Sequence, residues 1–300
     1  MLRPERLAIV LTVIVGSTAA LIFGAADFLG GLASKRISPI QVTVISALAG
    51  LAVLFAASIA IPGRWSSEAL LFGGLSGIAG AIAISLLYAC LAIGPMSILS
   101  PLTALVSAFI PLLAGAIRGE RLTIVGYIAI GVALVAVVLV GFVKDEEAVR
   151  PSLKALLMAI GSGAAIGAFM ILIDLTPADA GLVPLIANRA VNGALMLVVA
   201  VAVIAITRVR TEQTKPRTRR VDWRKGLWIA VACGTIDATA NALLLLGLRL
   251  GELSVMSVLT ALYPAGTIIL AAFILRERIS LTQWIGLVLA LVAAGMLALA

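Results

Sequence analysis

Ten apolar stretches, each long enough to cross a bilayer, fix what this chain can fold into. They run roughly over residues 8–33, 39–61, 69–92, 96–117, 122–143, 153–173, 182–206, 226–248, 253–274 and 280–300. A hydrocarbon core of about 30 Å takes about 20 residues of helix, and backbone amides inside it must pair within a helix or a closed barrel. The stretches are continuous and do not alternate in polarity, so they predict helices and not barrel strands. Of 300 residues only 12% are charged, half the share of about 25% in soluble domains. The expected fold class is an all-α polytopic membrane protein with ten transmembrane helices. The N-terminus opens on Arg3 and Arg6 as a signal peptide would, but its apolar run continues to about Ala33. That is longer than a signal core, so a retained first span is expected.

Residue types exclude several chemistries. The chain has no histidine, and its two cysteines, Cys90 and Cys233, fall in separate spans. Histidine-based triads and histidine zinc sites are therefore ruled out, and there is no cysteine spacing for a disulfide or metal framework. No GxxxxGK[ST] segment occurs, so the chain lacks a phosphate loop for ATP hydrolysis. No cofactor and no metal are expected. The net charge of +8 would suggest nucleic acid in a soluble protein. Here the basic residues gather in loops and at span ends, where headgroups and topology account for them. The expected partner is the lipid bilayer, not nucleic acid.

A fixed offset exposes the domain organisation. Sliding the sequence by 157 positions lays residues 71–143 on 228–300 without a gap, and 24 of the 73 pairs are identical. About a tenth would match by chance in a chain so rich in small and aliphatic residues. Polar pairs recur that hydrophobicity alone does not require: Ser97 with Ser254, Ser100 with Ser257, Thr103 with Thr260, Glu120 with Glu277 and Arg121 with Arg278. An offset of 145 matches Gly16, Ser17 and Pro39 to Gly161, Ser162 and Pro184, and the difference of 12 falls in the basic loop after the seventh span. Two repeats are expected, residues 1–145 and 152–300, each with five spans. Five is odd, so the second copy enters the membrane inverted. Inverted repeats enclosing a midplane site are a mark of secondary transporters.

The segments LTALVSAFIPLLAGAIRGERLTIVGY and LTALYPAGTIILAAFILRERISLTQW, each a span, an acidic–basic pair and a second span, resemble the ten-helix EamA-type members of the drug/metabolite transporter superfamily. GAADFLGGLASKR in the first span and GPMSILSPLTAL in the fourth are similar to a bacterial subgroup. The resemblance covers nearly the whole chain. It implies a central cavity lined by spans 1–4 and 6–9, with spans 5 and 10 peripheral, and the export or exchange of amino acids, other metabolites or nucleotide sugars. One departure stands out: RGER at 118–121 and LRER at 275–278 replace the more usual LGER, so the second copy lacks the turn glycine.

Polar residues inside the spans are the candidate substrate-binding groups. Asp237 lies at the middle of the eighth span, and Asn241, four residues on, shares its face. The seventh span supplies Asn188, Arg189 and Asn192. At 1.5 Å per residue, Arg189 lies about 9 to 11 Å deep and Asp237 about 16 Å deep, a gap that a long arginine can close. One reading is a structural ion pair locking two helices. The other is a substrate path in which Arg189 holds a carboxylate while Asp237 attracts an ammonium or a coupling proton. Asp27 near the far end of the first span is a further candidate, because apolar residues continue beyond it. Asp174, its near-equivalent in the second copy, reads equally well as a solvated helix end. Tyr263 and Pro264 in the ninth span and Pro101 and Pro111 in the fourth stand near matching positions, and proline bends helices. Both spans are expected to bow and offer Thr103, Ser107 and Thr260, unless those hydroxyls bond back to the preceding turn. The glycines of spans 3 and 6 read as packing residues, and the Glu–Arg pairs at 120–121 and 277–278 as interface anchors.

The expected function is secondary transport, by export or exchange, of a small metabolite such as an amino-acid-like or other polar solute. A monomer in the cell membrane is expected to do this, coupled to a proton or a counter-solute. The alternatives are an intramembrane enzyme, with Asp27 and Asp237 as a weak dyad, or a scaffold or receptor without transport. Orientation divides the sequence from the resemblance. Setting Arg189 aside, the face bearing the termini carries six Lys and Arg and the opposite face fifteen, which together make the remaining 21 of 22. Positive charge favours the cytoplasm and so places the termini outside it, whereas many members of the family have both termini inside. A reporter fused to the C-terminus separates the two: the charge count predicts activity from a periplasmic reporter and silence from a cytoplasmic one.

Overall fold

A computed structural model describes residues 4–93, 96–141, 151–210, 223–276 and 279–299. The helices follow the apolar stretches closely: α1 (Pro4–Ser34), α2 (Pro39–Ala60), α3 (Ser67–Ile93), α4 (Met96–Ile117), α5 (Ile124–Gly141), α6 (Leu153–Asp174), α7 (Val183–Arg210), α8 (Trp223–Leu250), α9 (Leu253–Thr260), α10 (Tyr263–Ile274) and α11 (Leu281–Leu299). A short 3₁₀ turn, Ala178–Ala180, precedes α7. Seven segments are long and apolar enough to cross a membrane, α9 and α10 counting as one, and shorter apolar helices lie at Leu102–Ile117, Ile124–Val140 and Leu281–Leu297. The chain is a multi-pass, all-helical membrane protein. The basic loop at 211–222, the Glu277–Arg278 pair, and Arg3, Lys144 and Arg150 lie outside the described residues.

Local sequence sets the helix starts. Ser38 and Gln41 form a reciprocal capping box ahead of α2, with Pro39 at its first turn. Ser152 caps α6 through the Ala155 amide at 3.2 Å. Thr123 takes the Gly126 amide at 3.1 Å, and its counterpart at an offset of 157, Ser280, takes that of Gln283 at 3.3 Å.

The two expected bends turned out differently. Pro264 cannot donate to the carbonyl of Thr260, and the ninth span breaks there into α9 and α10, with Ala261 and Leu262 in a turn. In the fourth span α4 runs unbroken through positions 101 and 111.

Packing pairs the two halves of the chain with one another. α1 packs on α8 as α6 packs on α3; α2 packs on α8 as α7 packs on α3; α1 packs on α9 and α10 as α6 packs on α4. The helices α2 and α7, and likewise α5 and α11, meet their own counterparts. Contact register gives directions. Thr12 lies by Gly251 and Gly30 by Cys233, so α1 and α8 are antiparallel; Gly161 lies by Leu86 and Ser162 bonds Ala83, so α6 and α3 are too. Gly16 meets Leu259 and Gly24 meets Gly266, so α1 runs parallel to α9 and α10, and Gly163 by Thr103 with Gly167 by Ile110 makes α6 parallel to α4.

Glycine makes these approaches possible. A methyl group on Gly24 would stand 2.6 Å from the Thr267 amide nitrogen and 2.7 Å from Gly266 Cα, where Thr267 also donates to the Gly24 carbonyl at 3.1 Å. Buried alanines fill the seam where α4, α5, α9 and α11 meet, among them Ala104, Ala108, Ala129, Ala133 and Ala293.

The substituted turn keeps its shape. Gly119, after α4, has φ +90°, and Arg276, its counterpart after α10, has φ +56°. A residue with a Cβ in that region costs roughly 1–2 kcal/mol, so Arg276 is held there by the surrounding helices. Replacing Arg276 with Gly is expected to stabilise the protein by about 1 kcal/mol, and Gly119→Ala to destabilise it, both read as shifts in the detergent-solubilised melting temperature.

Candidate functional site

The intramembrane charges meet across α2, on which both α7 and α8 pack. Arg189 Nη2 donates to Asp237 Oδ2, and both side chains are shielded, 14% and 26% exposed. Asn241, one turn along α8, donates to the Asp237 carbonyl at 2.8 Å and to its carboxylate at 3.3 Å. Asp237 therefore has a cation and an amide on it. Small residues of α2 bring the backbones close enough: a methyl on Gly50 would lie 3.0 Å from the Gly234 carbonyl and 3.7 Å from Arg189 Nε. Ser46 Oγ donates to the Ala230 carbonyl at 2.9 Å and fixes the packing of α2 on α8.

Asp27 is the second acid of this region and feels the charge of Asp237. Its neighbours Ala26 and Phe28 are buried while Asp27 itself is exposed. Asp27 lies between the face of α1 that meets α8, through Ala26 and Gly30, and the face that meets α10, through Gly24, so the surface it exposes opens into the bundle and not to the lipid. Cys233 donates Sγ–H to the Ala26 carbonyl at 3.2 Å and ties α8 to α1 beside it. Tyr263, at the start of α10, lies in the field of Asp27. Among the described residues, no donor and no cation contacts the Asp27 carboxylate.

Other polar candidates are turned elsewhere. Asn188 donates to Ser76 Oγ at 2.8 Å and Asn192 to the Gly77 carbonyl at 3.4 Å, so both face α3. Thr103 bonds the carbonyls of Leu99 at 3.0 Å and Ala159 at 3.2 Å, in the seam with α6. Thr260 keeps a buried hydroxyl oxygen with no partner among the described residues, on the last turn before the break. Asp27, Arg189, Asp237, Asn241 and Tyr263 thus gather in one region. Among the described residues, no group of three or more Cys, Asp and Glu is placed to hold a metal ion.

The repeat arithmetic sharpens the contrast. At an offset of 157, Asp237 falls on Gly80, Asn241 on Ile84 and Tyr263 on Val106; at 145, Asp27 falls on Leu172. Each group of the cluster replaces an apolar residue or a glycine of the other copy. Architecture common to both halves does not require them, and this signal was present in the sequence.

Sequence reasoning missed the device at the mouth on the terminal face. Glu120, in the turn between α4 and α5, reaches into the other half of the chain and accepts from the amides of Leu253 at 3.0 Å and Ser254 at 3.1 Å, and from the Ser254 hydroxyl. It caps α9, where the side chain of the N-cap residue Glu252 makes no capping bond. Beside it Arg118 pairs with Asp174 at 2.6 Å, and Arg249 holds Thr176 Oγ1 at 2.7 Å and the Pro177 carbonyl at 2.9 Å. Asp174 is thus paired as well as lying at a helix end. A cavity of about 510 Å³ opens here, lined by Thr12, Glu120, Arg121, Asp174 and Glu252 among others.

The profile of the EamA-like transporter family matches residues 10–142 and again 153–299. No curated protein matches the chain significantly. A solved crystal structure shares the fold with a TM-score of 0.70 over 95% of both chains, at 17% identity.

Loss of the Glu120 cap in Glu120→Ala is expected to cost about 1–2 kcal/mol, read as a lower melting temperature. Partial burial, and then the negative Glu120, push the Glu252 carboxyl above its ordinary value. The folded state thus binds that proton more tightly than the unfolded chain does, so this contribution to stability falls as pH rises through the raised value. Glu252→Gln should flatten that slope without lowering the melting temperature.

Proposed function

The chain belongs to the EamA-like transporter family, and from that premise we propose that it is a secondary transporter moving a small polar solute by alternating access. The repeats would be residues 1–145 and 152–300, five crossings each and inverted. Helix direction supports this: if successive spans alternate, the parallel pairings of α1 with α9 and of α6 with α4 require α1 and α6 to run opposite ways. The exchanged pairings of α1·α8 with α6·α3 are compatible with a pseudo-two-fold relation between the halves, which in this reading would lie in the membrane plane.

One observation carries the reading: an Arg189–Asp237 pair with Asp27 beside it, deep within apolar helices. Intramembrane ionisable groups are costly and mark solute or ion pathways. In this reading Arg189, Asp237, Asn241, Asp27 and Tyr263 line the path, with Thr260 next along it. Asn188, Asn192 and Thr103 hold the helices that frame it. The bonds of Glu120 and Arg118 across the two halves would keep the terminal face shut in this state, and would break when the site opens to that side. Export or exchange in the cell membrane by a monomer, without enzymatic turnover, completes the proposal. An acid–base dyad of Asp27 and Asp237 is disfavoured because Asp237 already binds a cation.

Uptake by proteoliposomes of the purified protein against a panel of labelled metabolites tests the proposal. At least one solute is expected to enter saturably, with Asp237→Asn and Arg189→Ala each lowering the rate by about tenfold or more, the scale of one lost charge-assisted contact. Unchanged rates in both variants would overturn the site; no transport of any solute would overturn the function.

A further inference from the structure

We infer that the solute is a monovalent organic cation whose ammonium group is held at Asp27. This rests on the transport reading above and narrows it to a substrate class.

The charges of the cluster do not cancel. Two carboxylates, Asp27 and Asp237, face one guanidinium, Arg189. Arg189 is engaged by Asp237, which also takes the amide of Asn241. Asp27 is left with no cation or donor among the described residues, and the charged group acting on it is the like-charged Asp237. It nevertheless opens onto an internal space. A solute entering that space therefore meets one uncompensated negative charge.

Each class of solute fares differently there. An anion would add a third negative charge. A zwitterion could satisfy Asp27 with its ammonium, but its carboxylate would have to take Arg189 from Asp237 and leave that acid unpaired instead. A monocation brings the local sum to zero and disturbs no existing bond. The remaining wall suits it: Tyr263, partly packed on the core of α4, α5, α9 and α11, lies close enough to Asp27 to feel its charge, and aromatic rings attract ammonium groups. Just before the break, the last turn of α9 carries the buried hydroxyl of Thr260, which has no partner among the described residues. Cys233 and Ala26 bond to each other beside Asp27 and are not open to a ligand.

The test uses the full-length protein in proteoliposomes and three labelled probes of similar size: benzyltrimethylammonium as cation, phenylalanine as zwitterion and phenylacetate as anion. Choline serves as a second permanent cation. Saturable entry of a cation is expected, reduced at least tenfold by Asp27→Asn and restored in part by Asp27→Glu. Thermal shifts with the same probes read binding separately, and size-exclusion profiles show that each variant is folded. Tyr263→Leu should weaken cation binding more than Tyr263→Phe does. If phenylalanine or phenylacetate enters and the cations do not, or if Asp27→Asn transports a cation at the native rate, the inference falls while the transporter reading stands. If no cation enters or shifts the melting temperature, the inference also falls; if, in addition, no solute of the wider metabolite panel enters, the transporter reading falls with it.

Discussion

Helices surrounded by lipid gain little by hiding apolar surface from one another, so they associate where their backbones can come close. The whole bundle depends on that condition. Gly73 and Gly77 let α7 lie on α3, Gly234 lets α2 lie on α8, and Gly24 with Gly266 lets α1 lie on α10, each with no room for another carbon. Because these contacts are made by missing side chains, they leave the polar groups of α7 and α8 at hydrogen-bonding range. The ion pair is a consequence of the seam between α2 and α8 and not its cause.

The charge cluster then stands out against its setting. A charged residue at the centre of a spanning helix costs roughly 2.5–3.5 kcal/mol even on the lenient scale. Arg189 and Asp237 offset this for each other; Asp27 has no such partner among the described residues. Pairing one acid while leaving the other open to an internal space divides the work between them. One fixes α7 against α8, and the other stays available.

Much of the fold was legible because apolar length and the backbone's need for partners leave few choices. Helix ends fell within a few residues of the apolar boundaries, and the departure is the break at Ala261. Pro264 foretold that break, yet Pro111 stands in an unbroken α4, since a proline marks a missing bond and the neighbouring helices decide whether the axis yields. The site was legible only in part. Spacing placed Asn188 and Asn192 on one face of α7 but could not say which neighbour that face meets, and it is α3. Glu120 read as an interface anchor because its partners lie 133 and 134 positions away, beyond the reach of any local pattern.

The turn at Arg276 records how the two halves have diverged. Its backbone holds the same left-handed conformation as Gly119 although the residue no longer favours it. The geometry of that corner is thus imposed from outside, by where α10 must stop and α11 must begin. A duplicated gene can drift at such corners without losing its shape, which frees each copy to specialise where solutes pass.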